Sequence, residues 1–400
     1  MVEQAVFARA DAGAVSSTLR IVHVITGLGA GGAERTLCRL AAELAQSGCA
    51  QVVVSLGAGD ALAGAIRSLG VPVVEVPVRH VVRLPLALIR LTLLLRKLRP
   101  DVVQTWMYHS DLLGGLAAWL ARAPVVVWGV RSTALHPGAS RSSTRLVARA
   151  CAVLSRRVPD AIVCCAESAL HSHAALGYER ARMRVIHNGL PLPDEPLPRD
   201  VARSRLGLPG DAFIVGRVGR FHPVKGYDVL LRSAARLRES IPDVDIQWVL
   251  CGEGVDEGNA ELRSLVADAG LRGQVRLLGF REDMGDVYPA LDVCVSTSLE
   301  EGFPNVLLEA MSYGVPIVAT DVGASKWIVA DAGRVVGVGD ADAIARALAD
   351  LLALEGRGFE RLCDAARARA RDEFGVERMA ANYLALYEEL RAAVRGGCPA

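Results

Sequence analysis

Three short runs hold the residues most able to do chemistry. In GLGAGG (27–32), Gly27, Gly29 and Gly32 meet the spacing G-x-G-x-x-G between an apolar run and an amphipathic one. Glycines there let the backbone approach a phosphate, and the free N–H groups and positive dipole end of a helix N-terminus attract its charge. A dinucleotide reader also wants an acid at the end of the next strand to hold a ribose. Here that strand ends VVVSLGAG, with no acid before Asp60. A phosphate-facing turn is therefore expected, and nicotinamide-dependent oxidoreduction is the weaker alternative. The second run is GRFHPVKGYD (219–228). Arg220 stands at a strand's carboxyl end and Lys225 opens the next helix, so the two can clamp a pyrophosphate as a planar fork and a point charge. Lys225 is also one of only three lysines, with Lys97 and Lys326, in a chain that otherwise uses Arg. The third run is EEGFPNVLLEAM (300–311). Glu301 lies in a loop and Glu309 a turn or so inside the following helix, while Gly302, Phe303, Asn305 and Val306 offer backbone N–H groups at the helix start. Carboxylates so placed suit sugar and ribose hydroxyls.

Short apolar runs alternating with longer amphipathic segments must position these groups. LRIVHVIT (19–26), QVVVSL (51–56), VPVVEVPV (71–78), DVVQTW (101–106), PVVVWGV (124–130) and AIVCCA (161–166) read as strands. Helices are expected between them, among them 32–48, 61–70 and 84–100. The pattern resets at the Pro-rich PLPDEPLPRD (191–200), and a second series follows: FIVGRV, VDIQWVLCG, QVRLLG, LDVCVSTS and VPIVATDV. This is α/β alternation with parallel sheets covered on both faces. The expected organisation is a loose leader (1–18), a Rossmann-like acceptor domain (19–190), a linker (191–205) and a Rossmann-like donor domain (206–372). A helix over 373–393 follows. Ligands of such sheets bind at strand carboxyl ends, so the crevice between the domains is the default site.

The run E-G-F-P-N-V-L-L-E-A-M with G-V-P-I-V-A-T-D resembles the E-x7-E signature of retaining GT-B glycosyltransferases, family 4. GRFHPVKGYD resembles that family's G-R-x-x-x-x-K-G segment, and GAGGAER its Gly-Gly-x-E turn. The resemblance covers roughly residues 19–392. It implies two facing Rossmann-like doubly wound domains, with the last helix crossing back to the first. It implies that Gly31, Gly32, Arg220 and Lys225 meet the donor diphosphate, that Glu309 bonds the ribose, and that Glu301 with the amides of Gly302, Phe303, Asn305 and Val306 holds the sugar. The base would rest near LLGFRED (277–283), with Arg281 on the donor side. His109 falls at the family's active-site His, beside sugar and acceptor; Trp106 and Arg131 are assigned with it to the acceptor. Arg220, Lys225, Glu301 and His109 form the catalytic set. The implied activity is retaining, metal-independent hexosyl transfer from a UDP- or GDP-sugar to a hydroxyl, on a glycan or lipid-linked acceptor in polysaccharide or glycolipid synthesis. No cofactor beyond the donor is implied. The chain departs from the family at Lys326, where Gly and an acid often follow TDVG, and at HNGLPL, which lacks the Asp that commonly follows N-G. A nucleotide-sugar epimerase on the same fold, or a non-catalytic subunit of a polysaccharide assembly, would carry similar motifs.

Composition agrees. A 52% hydrophobic content supports large cores, and a net charge of +1 gives no basic field for nucleic acid. Nine cysteines without C-x-x-C suggest reduced thiols in a cytoplasmic protein. The first residues lack a signal-peptide h-region, and no uncharged apolar stretch is long enough to span a membrane. His23, inside a strand, reads as a core residue. His171 and His173 fall on different helix faces and form no metal pair. Asp340-Ala-Asp342, which matches a metal-binding D-x-D, reads better as a helix N-cap. Two Arg-rich stretches remain, 79–99 with Arg79, Arg83, Arg90, Arg96, Lys97 and Arg99 and no acid, and 121–160. They suit peripheral contact with an anionic membrane, such as the inner face of the plasma membrane.

Overall fold

The computed structural model describes residues 18–29, 31–58, 61–78, 84–132, 142–354 and 356–396. The expected leader, apart from Thr18, lies outside the described residues, as do Arg79, Arg83 and Arg141 of the basic stretches. The chain divides into two compact units, Met1–Pro191 with Val376–Ala400, and Leu192–Gly375.

The first unit has strands β1 (Arg20–Ile25), β2 (Ala50–Ser55), β3 (Val73–Glu75), β4 (Val102–Trp106), β5 (Val125–Val130), β6 (Ala161–Cys164) and β7 (Met183–Val185). They form one sheet in the order β3-β2-β1-β4-β5-β6-β7, every pairing parallel. Its helices are α1 (Gly32–Gln46), α2 (Ala63–Ser68), α3 (Leu84–Leu98), α4 (Tyr108–Ala121), α5 (Ser142–Leu154) and α6 (Glu167–Leu176). Strand β1 is apolar but for Arg20 at its start and His23 in its middle, because both faces are covered. Ile21 and Ile25 pack with Leu37, Leu40 and Leu44 of α1, whose i, i+3, i+7 spacing makes one apolar stripe. Val24 faces the other way, toward Gly114 of α4.

The second unit has strands β8 (Phe213–Val218), β9 (Ile246–Cys251), β10 (Val275–Leu277), β11 (Val293–Ser296), β12 (Ile317–Thr320) and β13 (Gly333–Val336). They pair in parallel in the order β10-β9-β8-β11-β12-β13. Its helices are α7 (Arg199–Leu206), α8 (Tyr227–Ser240), α9 (Ala260–Asp268), α10 (Val287–Ala290), α11 (Asn305–Ser312), α12 (Ser325–Val329), α13 (Ala341–Leu352) and α14 (Arg357–Phe374). Asp340 caps α13 by accepting the Ala343 N–H at 2.8 Å, so the D-x-D segment serves a helix end. The final helix α15 (Val376–Arg395) returns its Met379, Ala380, Tyr383, Leu386 and Tyr387 to the core of the first unit.

The 191–205 segment differs from a plain linker. From Arg199 it is helical, and Ala202 and Leu206 pack on Ala290 of the second unit. Arg203 explains the docking. It is buried, pairs with Asp292 at 2.6 Å, and donates to the carbonyls of Ala290 and Ala212. Asp292 also accepts from Arg199 and from the N–H of Ile214. The last contact recurs at the amino edges of both sheets. Asp101 accepts the Arg20 N–H and Asp160 the Val126 N–H, each acid standing just before a strand and closing an N–H at the start of its neighbour.

Removing one partner of a buried ion pair strands the other charge. Asp292→Ala should therefore destabilise the protein by about 3–5 kcal/mol, read as a lower urea midpoint for the second unit. A change within experimental error would show that Arg203 finds water instead.

Candidate active site

In each sheet the strand order reverses beside the first strand, between β8 and β11 and between β1 and β4. Such switch points leave loops at the carboxyl edge uncovered. The candidate residues collect there.

In the second unit, the loop after β8 carries Arg220 and Lys225, and the loop after β11 carries Glu301. Lys225 Nζ stands 2.5 Å from Glu301 Oε1, which also accepts from Ser298 Oγ at 2.8 Å. The ammonium and carboxylate thus fix each other across the reversal. Arg220 is exposed. Two glycines let the loops close. A Cβ on Gly226 (φ 63°) would lie 2.2 Å from the Thr297 carbonyl, and one on Gly323 (φ 56°) 2.3 Å from that of Glu301. Positive φ and this proximity leave room only for hydrogen. Glu309, inside α11, accepts from the fully buried Tyr288 hydroxyl at 3.0 Å. The start of α11 has no side-chain cap, so the Asn305 and Val306 amides lie at an uncapped N-terminus. Phe303 turns inward against Phe374. Arg281 lies beyond β10, close enough for its charge to offset the burial that raises the Cys251 thiol's pKa.

In the first unit, Gly29, Gly31 and Gly32 are exposed, and Gly31 precedes the first turn of α1. A Cβ on Gly31 would fall 2.5 Å from a carboxylate oxygen of Glu34. The neighbouring loop, after β4, is locked to this one by the 3.0 Å bond between Thr26 and Ser110 hydroxyls. His109 projects exposed from the first turn of α4, and partial desolvation lowers its pKa. Met107 reaches α4 through a left-handed φ of 71°, a strained conformation that its surroundings must enforce. Asp111 does part of this. Its Oδ1 accepts from Thr105 Oγ1 at 2.6 Å and from the Gly129 N–H at 3.2 Å, tying α4 to β4 and β5.

The comparisons with known proteins bear on the family and the fold. The family described as Glycosyltransferase Family 4 matches residues 30–192, and that described as Glycosyl transferases group 1 matches 212–354. The chain belongs to the group 1, family 4 glycosyltransferases. The lipopolysaccharide core biosynthesis glycosyltransferase LpsE of Rhizobium meliloti is 35% identical over 199 residues, 49% of this chain and 55% of that protein. The chain thus covers little more than half of that relative. The UDP-Gal:alpha-D-GlcNAc-diphosphoundecaprenol alpha-1,3-galactosyltransferase of Escherichia coli is 29% identical over 274 residues, 66% and 69% of the two chains. Among solved structures, Anabaena HepE in complex with UDP and glucose superposes with TM-score 0.80 at 20% identity, over 92% of this chain and 99% of that one. The fold is GT-B.

Two residues assigned to the acceptor lie elsewhere in this family 4 chain. Trp106 is fully buried, donates to His23 Nδ1 and stacks on Tyr383 of α15 at 6.2 Å. Arg131 lies 4.3 Å over the Trp106 ring and donates to Asn188 and to the Tyr383 hydroxyl. The strand-end position is right for a site, but both side chains are spent on seating the last helix. His23 is a core residue, held neutral by burial that lowers its pKa to about 4. His173 is likewise internal, bonded to the Tyr108 hydroxyl at 2.8 Å, and His171 is exposed. Asp111, Tyr288, Ser298 and Thr297 support the site residues without any spacing that marks them in the sequence.

Burial pushes the pKa of Asp111 up to about 7, against the opposing pull of its hydrogen bonds and of Arg131. The folded chain holds this proton more tightly than the unfolded one, so stability is lost as pH rises from the ordinary carboxylate range toward 7. Asp111→Asn keeps an oxygen for Thr105 and Gly129 and cannot ionise. Its stability relative to wild type should rise by up to about 1.4 kcal/mol per pH unit between about pH 4 and 7. Denaturation midpoints across that range check it, and a pH-independent difference would refute it.

Proposed function

We propose that this chain is a retaining, metal-independent hexosyltransferase that moves a sugar from a UDP- or GDP-sugar to a hydroxyl of a glycan or lipid-linked acceptor. The observation that carries this reading is the Lys225–Glu301 ion pair joining two adjoining loops at the switch point of the second unit, with Arg220 exposed on the first of them. As the glycosidic bond breaks, charge grows on the departing diphosphate. Arg220 and Lys225 are positioned for that charge, Glu301 and the α11 amides for the sugar, and Glu309 for the ribose hydroxyls. Donors fixed in advance and aimed at developing charge stabilise the transition state more than the ground state. We assign neutralisation to these side chains rather than to a metal, because Asp340 is engaged as a helix cap. The family is held to react on one sugar face, a donor phosphate oxygen helping to deprotonate the acceptor, which needs no covalent nucleophile. A polyprenyl-linked acceptor finds support in the name of the Escherichia coli relative.

Arg220→Ala and Lys225→Ala should each lower turnover by about 10²-fold or more with the fold intact. Wild-type transfer should persist in excess EDTA, with the product keeping the donor's anomeric configuration by NMR. Near wild-type activity in either variant, loss on chelation that Mg²⁺ restores, or an inverted centre would each overturn the corresponding part.

No helix among the described residues is long and apolar enough to cross a membrane. Contact with an acceptor's membrane would then be peripheral, and α3 is the candidate. Leu86, Ile89 and Leu93 lie 48%, 56% and 57% exposed along it, beside Arg90 and Lys97. An apolar stripe flanked by cations suits an anionic interface, each cation near the surface adding about 1 kcal/mol. The protein should sediment with phosphatidylserine-containing vesicles at low salt, release at high salt and ignore phosphatidylcholine vesicles. Changing Ile89 and Leu93 to Ser and Arg90 to Gln should weaken this without affecting nucleotide-sugar binding. Failure of wild type to bind anionic vesicles at low salt would favour an acceptor free in solution.

A further inference from the structure

Beneath the loop that carries Arg220 and Lys225 lies a third cation that no motif marks. Arg217, near the end of β8, is 1% exposed. One arm of its guanidinium donates to the Val218 carbonyl at 2.5 Å and the other to the Lys225 carbonyl at 2.7 Å. Those carbonyls belong to opposite ends of one loop, 219–225. The group also sits 5.0 Å from the Tyr227 ring centroid, and a Cβ on Gly219 would come within 2.8 Å of its Nη1. Thr297 reinforces the same end, donating to the Lys225 and Gly226 carbonyls at 3.1 and 2.8 Å.

Arg217 is costly where it stands. Among the described residues it forms no ion pair, and its buried Nε has no hydrogen-bond partner. A buried guanidinium without a carboxylate is disfavoured relative to an apolar side chain of similar volume. Its compensation is geometric, since only a planar fork can hold two diverging carbonyls at once. It is also electrostatic. Positive charge under the loop raises the potential at its outer side, where Arg220 is exposed and Lys225 already faces a carboxylate.

We infer that Arg217 is a positioning residue for diphosphate recognition, fastening both ends of the 219–225 loop so that Arg220 and Lys225 face one anion. This rests on the reading of those two residues as the diphosphate clamp, and the test separates the two claims. Wild type is titrated calorimetrically with UDP, GDP, uridine and guanosine. One of the two diphosphates should bind at least about tenfold more tightly than its nucleoside. Arg217→Met should weaken that diphosphate by about tenfold or more and leave the nucleoside within about twofold. Arg217→Lys keeps a charge but cannot fork to both carbonyls, so most of the loss should remain. Thr297→Val should show a smaller loss of the same kind, which keeps the test usable if Arg217→Met does not fold. Wild-type diphosphate affinity in the Arg217 variants would overturn the inference and leave the clamp standing. A parallel fall in diphosphate and nucleoside affinity would also overturn it, reducing Arg217 to packing. If wild type holds neither diphosphate better than its nucleoside, the clamp itself fails, and the inference with it.

Discussion

Both sheets are covered on both faces, and that constraint decides where polar chemistry can occur. A parallel strand buried on two sides has no place for a working polar group along its length. His23 shows the result, held neutral and bonded to Gln51 and Trp106 in mid-strand. Exposed polar groups are pushed to strand ends, and among the ends only those at the reversal of strand order escape cover by the crossover helices. The β8–β11 and β1–β4 reversals are therefore where loops bearing Lys225 and Glu301, or Gly31 and His109, can stand next to each other. The side-chain bonds between these loops, Lys225 to Glu301 and Thr26 to Ser110, are consequences of that placement.

The two edges of the sheets treat buried polar groups differently. At the amino edges, Asp101, Asp160 and Asp292 each close an N–H at the start of a neighbouring strand, and Asp292 also neutralises Arg203. Each of these contacts serves the fold, and for Asp101 and Asp292 the charge is matched by an Arg as well. At the carboxyl edges the matching is incomplete. Among the described residues Arg217 pairs with no carboxylate, and Asp111 keeps one carboxylate oxygen unpartnered and a raised pKa. Polar groups left partly unsatisfied beside a loop keep interaction energy available for a ligand, at a cost to the fold. The asymmetry follows the division between a scaffold edge and a working edge.

What the sequence made legible follows from the range of the forces involved. Apolar periodicity is local, so most strands and the span of α1 could be read directly. E-x7-E spans one loop and one helix, and its placement, Glu301 in the loop and Glu309 inside α11, could be read the same way. Boundaries blurred where tertiary contacts intervene. The segment 71–78 reads as one strand; the regular strand is only Val73–Glu75, at the sheet's edge, though single hydrogen bonds from Val76 and Val78 still reach Ser55 and Leu56. The Pro-rich linker conceals α7, whose docking depends on Asp292, 89 positions from Arg203. Trp106 and Arg131 read as acceptor residues because a strand-end aromatic looks alike whether it faces inward or outward. Their fate is decided by Tyr383, 252 positions from Arg131. Arg217 was illegible for another reason: its partners are carbonyls, and every residue has one.

The local sum of charges explains why two cations would be too few. Lys225 has a carboxylate 2.5 Å from its ammonium. At the anion's distance that pair is close to neutral, because the Coulomb terms of adjacent opposite charges largely cancel. Arg220 and a partly neutralised Lys225 would then face a dianionic group, and the exposure of Arg220 lets water and salt screen it. Glu301 cannot simply be omitted if it also serves sugar hydroxyls. A third cation below the loop resolves the conflict. Arg217 lies where solvent screens it least, and its hydrogen bonds run to the loop's own carbonyls, so it offsets the Glu301 charge without competing for Glu301. The ammonium also keeps donors beyond the one that Glu301 accepts. On this account the carboxylate orients the lysine, the buried arginine restores the positive potential that the carboxylate removes, and recognition of sugar and of diphosphate can share two adjoining loops.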